Sequence, residues 1–151
     1  MENIKSKKII IAEDSEFSRL VIKTKLEKFG FNNIEAPESS VEAWEKIANA
    51  TLNDEPYDLL ITDLNMPDLD GMDLIDNIKS DPLSEKLKIV VVTADADTFI
   101  KNICLQMGAL AVFNKPFNEE NFIQIIVAIL EENEIPSVVS FFDQNPKKLS
   151  C

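Results

Sequence analysis

The chain has 151 residues, of which 45% are hydrophobic and 28% charged, a balance typical of one globular domain rather than of a disordered chain. Acidic residues outnumber basic residues by 27 to 15, so the formal net charge is −12. A negative field of this size repels nucleic-acid phosphates and anionic lipids. The composition therefore predicts no binding to nucleic acid or to membranes, and favours cations and basic protein faces as partners.

Histidine is absent from the sequence, and this absence excludes several kinds of reactive site. Ser-His-Asp catalysis, Cys-His catalysis and zinc held by imidazole all need that side chain. The two cysteines, Cys104 and Cys151, cannot form a disulfide framework, which favours a reducing compartment and predicts a cytoplasmic protein. The apolar runs are shorter than the ~20 residues that span a bilayer, and the N-terminal residues do not resemble a signal peptide.

Short apolar runs rich in β-branched residues alternate along the chain with segments of helical periodicity. Such runs are typical of buried strands. We predict strands at Lys8–Ala12, Asn33–Ala36, Asp58–Thr62, Ile89–Thr93 and Ala109–Phe113. Continuous apolar strands separated by amphipathic helices favour a parallel sheet covered on both faces, which is the doubly wound α/β class.

A helix is predicted after each strand, and capping residues mark several helix ends. Gly30 and Gly108 are typical of helix C-termini, and Asn118 is predicted to cap the last helix. The side chains expected to face the sheet are, helix by helix, Phe17, Leu20, Val21 and Thr24; Val41, Trp44, Ala48 and Leu52; Leu74, Ile75 and Ile78; Phe99, Ile100, Ile103, Cys104 and Met107; and Phe122, Ile125, Ile126 and Ile129.

Charged and polar residues follow the carboxyl ends of four predicted strands. In a doubly wound sheet these ends meet at the edge where ligands bind. Helix capping or turn formation could explain each residue separately, but not the complementary charges of the whole set. The set predicts one charged pocket. Its members are Glu13, Asp14, Asp63, Asn65, Thr93 and Lys115.

The chemistry of this pocket follows from its carboxylates, which repel each other unless a cation joins them. Oxygen ligands without histidine or cysteine suit Mg²⁺, which keeps several waters and accepts phosphate oxygens. With two carboxylates on the metal, a third is free to attack phosphorus, since a carboxylate is a known covalent nucleophile. The charge of Lys115 and the hydroxyl of Thr93 would then stabilise the transferred phosphoryl group.

At these positions the sequence resembles the receiver domain of two-component response regulators, and most closely the single-domain chemotaxis type. The resemblance is carried by Glu13-Asp14, by the stretch DLNMPDLDG from Asp63 to Gly71, by Thr93-Ala94 and by Lys115-Pro116-Phe117. It implies a flavodoxin-like, doubly wound sheet of five parallel strands in the order 2-1-3-4-5 with five helices. It also implies a function in phosphorelay signal transduction.

The resemblance implies a phosphoryl acceptor and a metal site. Asp63 resembles the phosphoacceptor, which takes its phosphoryl group from phosphohistidine on a sensor histidine kinase or a histidine phosphotransfer protein. Asp14, Asp63 and the backbone carbonyl of Asn65 resemble ligands of Mg²⁺, with Glu13 acting through a bound water. Such a protein is not an enzyme in the usual sense, because it catalyses only its own phosphorylation and dephosphorylation.

The resemblance also implies a switch between two conformations. Thr93 resembles the switch hydroxyl that turns toward the phosphate, and Lys115 resembles its cationic partner, preceding a cis bond to Pro116. The responding face, where a downstream protein binds, would be the fourth helix, fifth strand and fifth helix. Asn65 and Asp95, beside the phosphate, would tune the rate of hydrolysis.

Two residues depart from the family pattern. The family's switch aromatic lies three residues before the lysine, where this sequence has Val112, with Phe113 next to it. An aromatic rotation coupled to Thr93 is therefore not predicted, and Phe113 is a candidate core residue. The acidic pair is Glu-Asp rather than Asp-Asp, a change expected to move the water shell of the metal more than the metal.

Three other functions compete with this interpretation. A haloacid-dehalogenase-like hydrolase needs a second acid two residues after the nucleophile, where this chain has Asn65. A calcium-binding EF-hand beginning at Asp63 would need glycine at Asp68 and glutamate at Leu74. A receiver-like docking module that takes no phosphate remains the alternative, although the complete set of acids, threonine and lysine argues against it.

The pattern of strands and helices ends near Glu134, which predicts a receiver domain over residues 7–133 and a tail or linker over residues 134–151. The tail contains the apolar run Val138–Phe142, which is costly to leave exposed. One hypothesis is that this run packs on the domain or forms an interface. The alternative is a mobile terminus or the beginning of a linker.

Overall fold

Five strands and five helices alternate along residues 3–131, the part of the chain that the computed structural model describes. They follow a single 3₁₀ turn at Ile4–Ser6, which the sequence had not indicated. The elements are β1 (Ile9–Ala12), α1 (Glu16–Phe29), β2 (Ile34–Glu35), α2 (Ser40–Leu52), β3 (Leu59–Thr62), α3 (Gly71–Ser80), β4 (Lys88–Thr93), α4 (Thr98–Met107), β5 (Ala111–Asn114) and α5 (Glu119–Leu130).

The strands form one parallel sheet in the order β2-β1-β3-β4-β5, which confirms the predicted topology. Strand ends differ from the prediction by one or two residues. The largest differences are at the two outer strands, where β2 keeps only two residues and β5 begins at Ala111. An outer strand pairs on one side only, so fewer partners fix its ends.

Successive side chains of each strand point to opposite faces of the sheet, and a hydrophobic core lies on each face. In β1, Ile9 and Ile11 face α1 and α5, while Ile10 and Ala12 face the layer of α2, α3 and α4. All four side chains are fully buried. Because both faces are covered, the strands are apolar throughout, as expected of a doubly wound sheet.

The buried face of α1 differs from the predicted one. Ile22 and Leu26 are 2% and 0% exposed, whereas the predicted core residues Phe17 and Leu20 are 77% and 60% exposed. The sequence of α1 contains two apolar stripes with helical spacing, so periodicity alone does not choose between them. The angle at which the chain leaves β1 decides which stripe faces the sheet.

The buried face of α2 also differs from the predicted one, and in α4 one predicted core residue is exposed. In α2 the fully buried apolar residues are Ala43 and Ile47. The predicted Trp44 packs partly buried against the same core, while Val41 and Leu52 are exposed. In α4, Phe99 is 69% exposed, because it lies in the first turn of the helix at the edge of the domain. The predicted buried residues of α3 and α5 are all confirmed.

The predicted helix ends are confirmed by capping geometry. Gly30 and Gly108 have φ of +121° and +116°, values that favour glycine, and both end helices. The side chain of Asn118 accepts a hydrogen bond from the backbone N–H of Asn121, 2.9 Å away. Across residues 3–131, none of the helices combines the length and the apolar character needed to cross a membrane.

Candidate functional site

Functional side chains collect at the carboxyl edge of the sheet, since adjacent parallel strands end there side by side. Glu13 and Asp14 follow β1, Asp63 follows β3, Thr93 ends β4 and Lys115 comes just after β5. Glu13, Asp63 and Thr93 are 1%, 8% and 0% exposed. Asp14 is exposed. The strand ends therefore place a buried polar cluster beneath a surface carboxylate.

Lys115 joins the two buried carboxylates of this cluster. Its ammonium donates to Oδ2 of Asp63 at 2.8 Å and forms a second, short contact with Oε1 of Glu13. The Lys115 backbone N–H also donates to the carbonyl of Thr93, at 2.9 Å, and the bond to Pro116 is cis as expected. One cation thus links residues that follow β1, β3 and β5.

The pKa values of the three charged groups separate their roles. Burial raises the pKa of Glu13 above its ordinary value, and its hydrogen bonds to Lys115 and to the Ser15 N–H offset only part of that effect. Burial acts on Asp63 in the same direction, but the hydrogen bond and charge of Lys115 outweigh it and lower the pKa of Asp63. Burial opposes the charge of Lys115 too, yet its two carboxylate partners raise its pKa. Asp63 is thereby held as the anion.

The other oxygen of the Asp63 carboxylate is fixed by backbone amides. Its Oδ1 accepts from the N–H of Leu64 at 2.6 Å and from the N–H of Asn65 at 3.2 Å. The N–H of Asp63 itself donates to the carbonyl of Ala12, at 3.0 Å, which ties the loop to β1. The carboxylate is therefore oriented through both oxygens.

Gly71 lets the loop that carries Asp63 fold closely against α3. A Cβ atom built at Gly71 would lie 2.1 Å from the carbonyl oxygen of Asp63 and 2.7 Å from Cα of Leu64. The requirement is space, because φ at this glycine is not positive. In the sequence, Gly71 was part of the stretch that carries the resemblance but was assigned no role, although a glycine that opens a helix instead of closing one was a usable signal.

Arg19 supports the acidic loop from α1, and sequence reasoning missed it as well. Its Nη1 donates to the backbone carbonyl of Glu13 at 2.9 Å. The carboxylate of Glu13 also accepts from the N–H of Ser15, at 3.2 Å. Arg19 is the only arginine in the sequence, and its position one turn into the helix after an acidic pair was the available signal.

The hydroxyl of Thr93 lies in the pocket without a well-formed hydrogen bond. The Thr93 side chain helps to lower the pKa of Asp63, but among residues 3–131 its buried Oγ1 has no partner at hydrogen-bond geometry. The contact between Thr93 and Asp63 is therefore loose. Because a buried hydroxyl costs free energy when it is unpaired, the Thr93 O–H is suited to donate to an added acceptor.

Asn65 and Asp95 form a bridge between two loops of the site. The side-chain amide of Asn65 donates to Oδ2 of Asp95 at 2.7 Å, and both residues are exposed. The bridge connects the β3–α3 loop with the β4–α4 loop beside Asp63. Asn65 also donates its backbone N–H to Oδ1 of Asp63, so the bridge ties Asp95 to the loop that carries Asp63.

The fit of the pocket to a divalent cation rests on its donor chemistry. Within the described range, 3–131, no three acidic or cysteine side chains form a metal-binding group. Instead, the ammonium of Lys115 draws together the carboxylates of Glu13 and Asp63, while Asp14 lies exposed beside them. Two carboxylates that already bind one cation are hard oxygen donors, as Mg²⁺ requires, and Asp14 is a third donor within the same loop.

Comparison with known proteins identifies the family. The response regulator receiver domain family matches residues 9–127. The chain belongs to this family. It is 30% identical over 128 residues to the chemotaxis protein CheY1 of Helicobacter pylori, a match that covers 84% of this chain and 99% of that protein. It is therefore a CheY-like receiver domain of two-component signalling.

Solved structures agree with the fold. The CheY-like receiver domain protein from Methanospirillum hungatei is 28% identical and superposes with a TM-score of 0.73, covering 84% of this chain and 95% of that one. The receiver domain of a sensor histidine kinase from Pseudomonas aeruginosa superposes with a TM-score of 0.72 at 22% identity, covering 83% of this chain and 98% of that one. The latter structure contains a magnesium ion coordinated in its active-site cleft.

Proposed function

We propose that this receiver domain, residues 7–133, accepts a phosphoryl group on Asp63 and signals through the resulting change of conformation. The observation that carries the proposal is the Asp63 carboxylate, which has a lowered pKa, is 8% exposed and is held through both oxygens. In the reaction, an Asp63 oxygen bonds to phosphorus as the P–N bond of phosphohistidine breaks, and the bonding electron pair leaves with the imidazole nitrogen.

The electrostatics favour Asp63 over Glu13 as the nucleophile. Lys115 lowers the pKa of Asp63, whereas burial dominates at Glu13 and raises its pKa. Attack on phosphorus needs an ionised carboxylate, and the lowered pKa of Asp63 keeps this group ionised. Asp63 is also the more exposed of the two, at 8% against 1%.

The acidic residues beside Asp63 would hold Mg²⁺, in agreement with the donor chemistry of the pocket. Asp14, Asp63 and the Asn65 carbonyl are the proposed direct ligands, with Glu13 acting through water. The ion would supply charge neutralisation for the oxygens of the phosphoryl group. The magnesium in the cleft of the Pseudomonas aeruginosa receiver domain supports this assignment by analogy of fold.

Thr93 and Lys115 are the proposed reporters of phosphorylation. The Thr93 hydroxyl, loosely placed and buried, would donate to a phosphoryl oxygen, and the Lys115 ammonium would pair with another. Both interactions would stabilise the phosphorylated conformation, so that phosphorylation shifts the population of the domain toward it. The exposed bridge between Asn65 and Asp95 would set how readily water reaches the acyl phosphate.

The proposed partners are a phosphohistidine donor and a downstream protein. The donor is a sensor histidine kinase or a histidine phosphotransfer protein, and the reaction takes place in the cytoplasm. The target is proposed to bind α4, β5 and α5, where Phe99 offers an aromatic ring that is 69% exposed. A CheY-like domain that docks without phosphate is the alternative that the following experiment addresses.

Chemical phosphorylation tests the proposal directly. The purified chain is treated with acetyl phosphate and Mg²⁺, and the phosphorylated residue is located by mass spectrometry. We expect a single phosphoryl group on Asp63 and none in Asp63→Asn. Asp68→Asn is the matched control, because Asp68 is an exposed carboxylate in the same loop, and it should be phosphorylated like the wild type.

The outcomes distinguish the candidate functions. Phosphorylation of Asp63→Asn at another residue would reassign the nucleophile. A wild-type chain that takes no phosphoryl group, with its Mg²⁺ affinity intact, would support the docking module. In Lys115→Ala, Mg²⁺ binding should be retained, while phosphorylation no longer changes binding to a partner.

A further inference from the structure

A second concave surface lies at the opposite edge of the sheet, where the strands begin. It is a groove of about 280 Å³ that runs between the amino ends of β1, β3 and β4 and the last residue of α5. Its lining includes Ile47, Tyr57, Leu83, Lys86, Lys88 and Leu130. The site around Asp63 shares none of these residues, so the groove has no part in the proposed phosphorylation.

The groove carries positive charge on a strongly acidic chain. Among the residues of the range 3–131 that line it, Lys7, Lys86 and Lys88 are basic and Asp58 is acidic. The Asp58 carboxylate is engaged locally, since its Oδ2 accepts a hydrogen bond from the N–H of Lys8 at 2.8 Å. A basic groove on a chain of net charge −12 is complementary to an acidic peptide segment.

The groove also presents apolar surface. Leu83, in the loop between α3 and β4, is 66% exposed on its rim, while Ile47 and Leu87 are buried in its wall. An exposed leucine above buried apolar side chains loses accessible surface when a second apolar group covers it. The occupant should therefore combine acidic residues with apolar ones.

The residues that come after α5 in the sequence combine acidic and apolar side chains. Leu130, at the end of α5, lines the groove, and the ammonium of Lys88 donates to the carbonyl of Ile129 at 2.9 Å. The next residues, 132–142, lie outside the described part and read ENEIPSVVSFF. At roughly 3.3 Å per residue, four residues reach about 13 Å, so both acids of this segment are within reach of the lysines.

We propose that this groove binds residues 132–142 of the same chain. In this arrangement Glu134 pairs with Lys86, and the apolar residues from Ile135 onward cover Leu83. The attachment at Leu130 gives the segment a high effective concentration, so weak contacts suffice.

Limited proteolysis of the full chain tests this binding. Chymotrypsin cleaves after aromatic residues, and cleavage after Phe142 is followed by mass spectrometry at low protease concentration, where the rate reports the open fraction. We expect Leu83→Asp to accelerate this cleavage about tenfold. Leu20→Asp is the matched control, because Leu20 is 60% exposed on α1 outside the groove, and it should leave the rate unchanged.

Charge reversal tests the acidic half of the proposal. Lys86→Glu should accelerate cleavage about threefold, the effect expected of an exposed ion pair. Adding Glu134→Lys to that variant should restore the wild-type rate, since the two charges are then exchanged. Global unfolding in urea, measured on each variant, separates loss of the tail contact from loss of the fold.

Two results would overturn the proposal. Cleavage that Leu83→Asp and Lys86→Glu leave unchanged would show that the groove does not bind the segment. Protection that disappears on dilution, together with a dimer by light scattering, would make a second copy of the chain the occupant. Protection independent of protein concentration and lost in both variants supports binding in cis.

Discussion

The two ends of the sheet use lysine in different ways. At the carboxyl end, Lys115 binds the side chains of two buried acids, Glu13 and Asp63. At the amino end, Lys8 and Lys88 donate to backbone carbonyls, those of Glu55 at 2.7 Å and of Ile129 at 2.9 Å. The first arrangement concentrates charge in a buried pocket, whereas the second completes the hydrogen bonding of loop and helix ends.

This difference arises from the residues that flank the parallel strands. Acids come directly after β1 and β3, where Lys115 meets them, while lysines precede or begin β1 and β4, so lysine has carboxylate partners at one edge and carbonyl partners at the other. Burial then sets the strength of each interaction, because charges interact more strongly away from water. A lysine at the carboxyl edge should therefore contribute far more to stability and chemistry than a lysine at the amino edge.

The largest effect is expected from Lys115→Met. This change leaves Glu13 and Asp63 adjacent and without their cation, and should lower the free energy of unfolding by about 3 kcal/mol at pH 7. Urea denaturation measures the loss. The loss should shrink as the pH falls and the carboxylates become protonated, because protonation removes their repulsion. A variant as stable as the wild type at pH 7 would contradict the pairing.

Gly71→Ala should disturb the carboxyl end without changing its charge. The new methyl group would overlap the carbonyl of Asp63, so the loop must move, at a cost of about 2 kcal/mol of stability. Acetyl phosphate labelling of Asp63 should slow in parallel. Asp73→Ala, an exposed change in the same helix, serves as control and should leave labelling unchanged.

Magnesium should stabilise the domain by binding at the carboxyl edge of the sheet. At a tenfold excess over its dissociation constant, Mg²⁺ should add about 1.4 kcal/mol to the free energy of unfolding. Sodium chloride at matched ionic strength corrects for screening. Asp63→Asn should lose most of the effect, and an equal gain in that variant would place the ion elsewhere on this acidic chain.

The smallest effect is expected from Lys8→Met, the amino-edge counterpart of Lys115→Met. Lys8 lies over the ring of Tyr57, with 4.6 Å from its nitrogen to the ring centroid, and donates to one carbonyl. Its loss should cost about 0.5 to 1 kcal/mol. Urea denaturation of the two lysine variants side by side tests the comparison, and equal losses would refute it.

The sheet was predictable from sequence because its strands are buried on both faces. Continuous apolar runs mark such strands, and glycine or asparagine marks the helix ends, as at Gly30 and Asn118. The inward face of α1 was predicted wrongly and that of α2 only in part, since each helix carries more than one apolar stripe. Choosing between Leu20 and Ile22 needs the angle of the preceding loop, which no local pattern contains.

The sequence predicted which residues come together at the candidate site, but not the contacts between them. The parallel topology alone brings the residues after β1, β3, β4 and β5 to one edge, so Glu13, Asp63 and Lys115 were expected together. The bonds between them depend on side-chain reach and burial. For this reason the contribution of Arg19 and the close packing at Gly71 became visible only in three dimensions.

Phe113 gives the domain a rigid aromatic block beside the pocket. Its fully buried ring lies 5.2 Å from that of Phe122 and 6.2 Å from that of Phe117, as expected of a core residue, and Val112 is buried on the other face of the sheet. No side chain at these two positions is free to swing outward. In the proposed switch, a movement of Thr93 would therefore reach Lys115 through the hydrogen bond between the Lys115 N–H and the Thr93 carbonyl, and would displace the ends of β4 and β5 instead of turning a single ring.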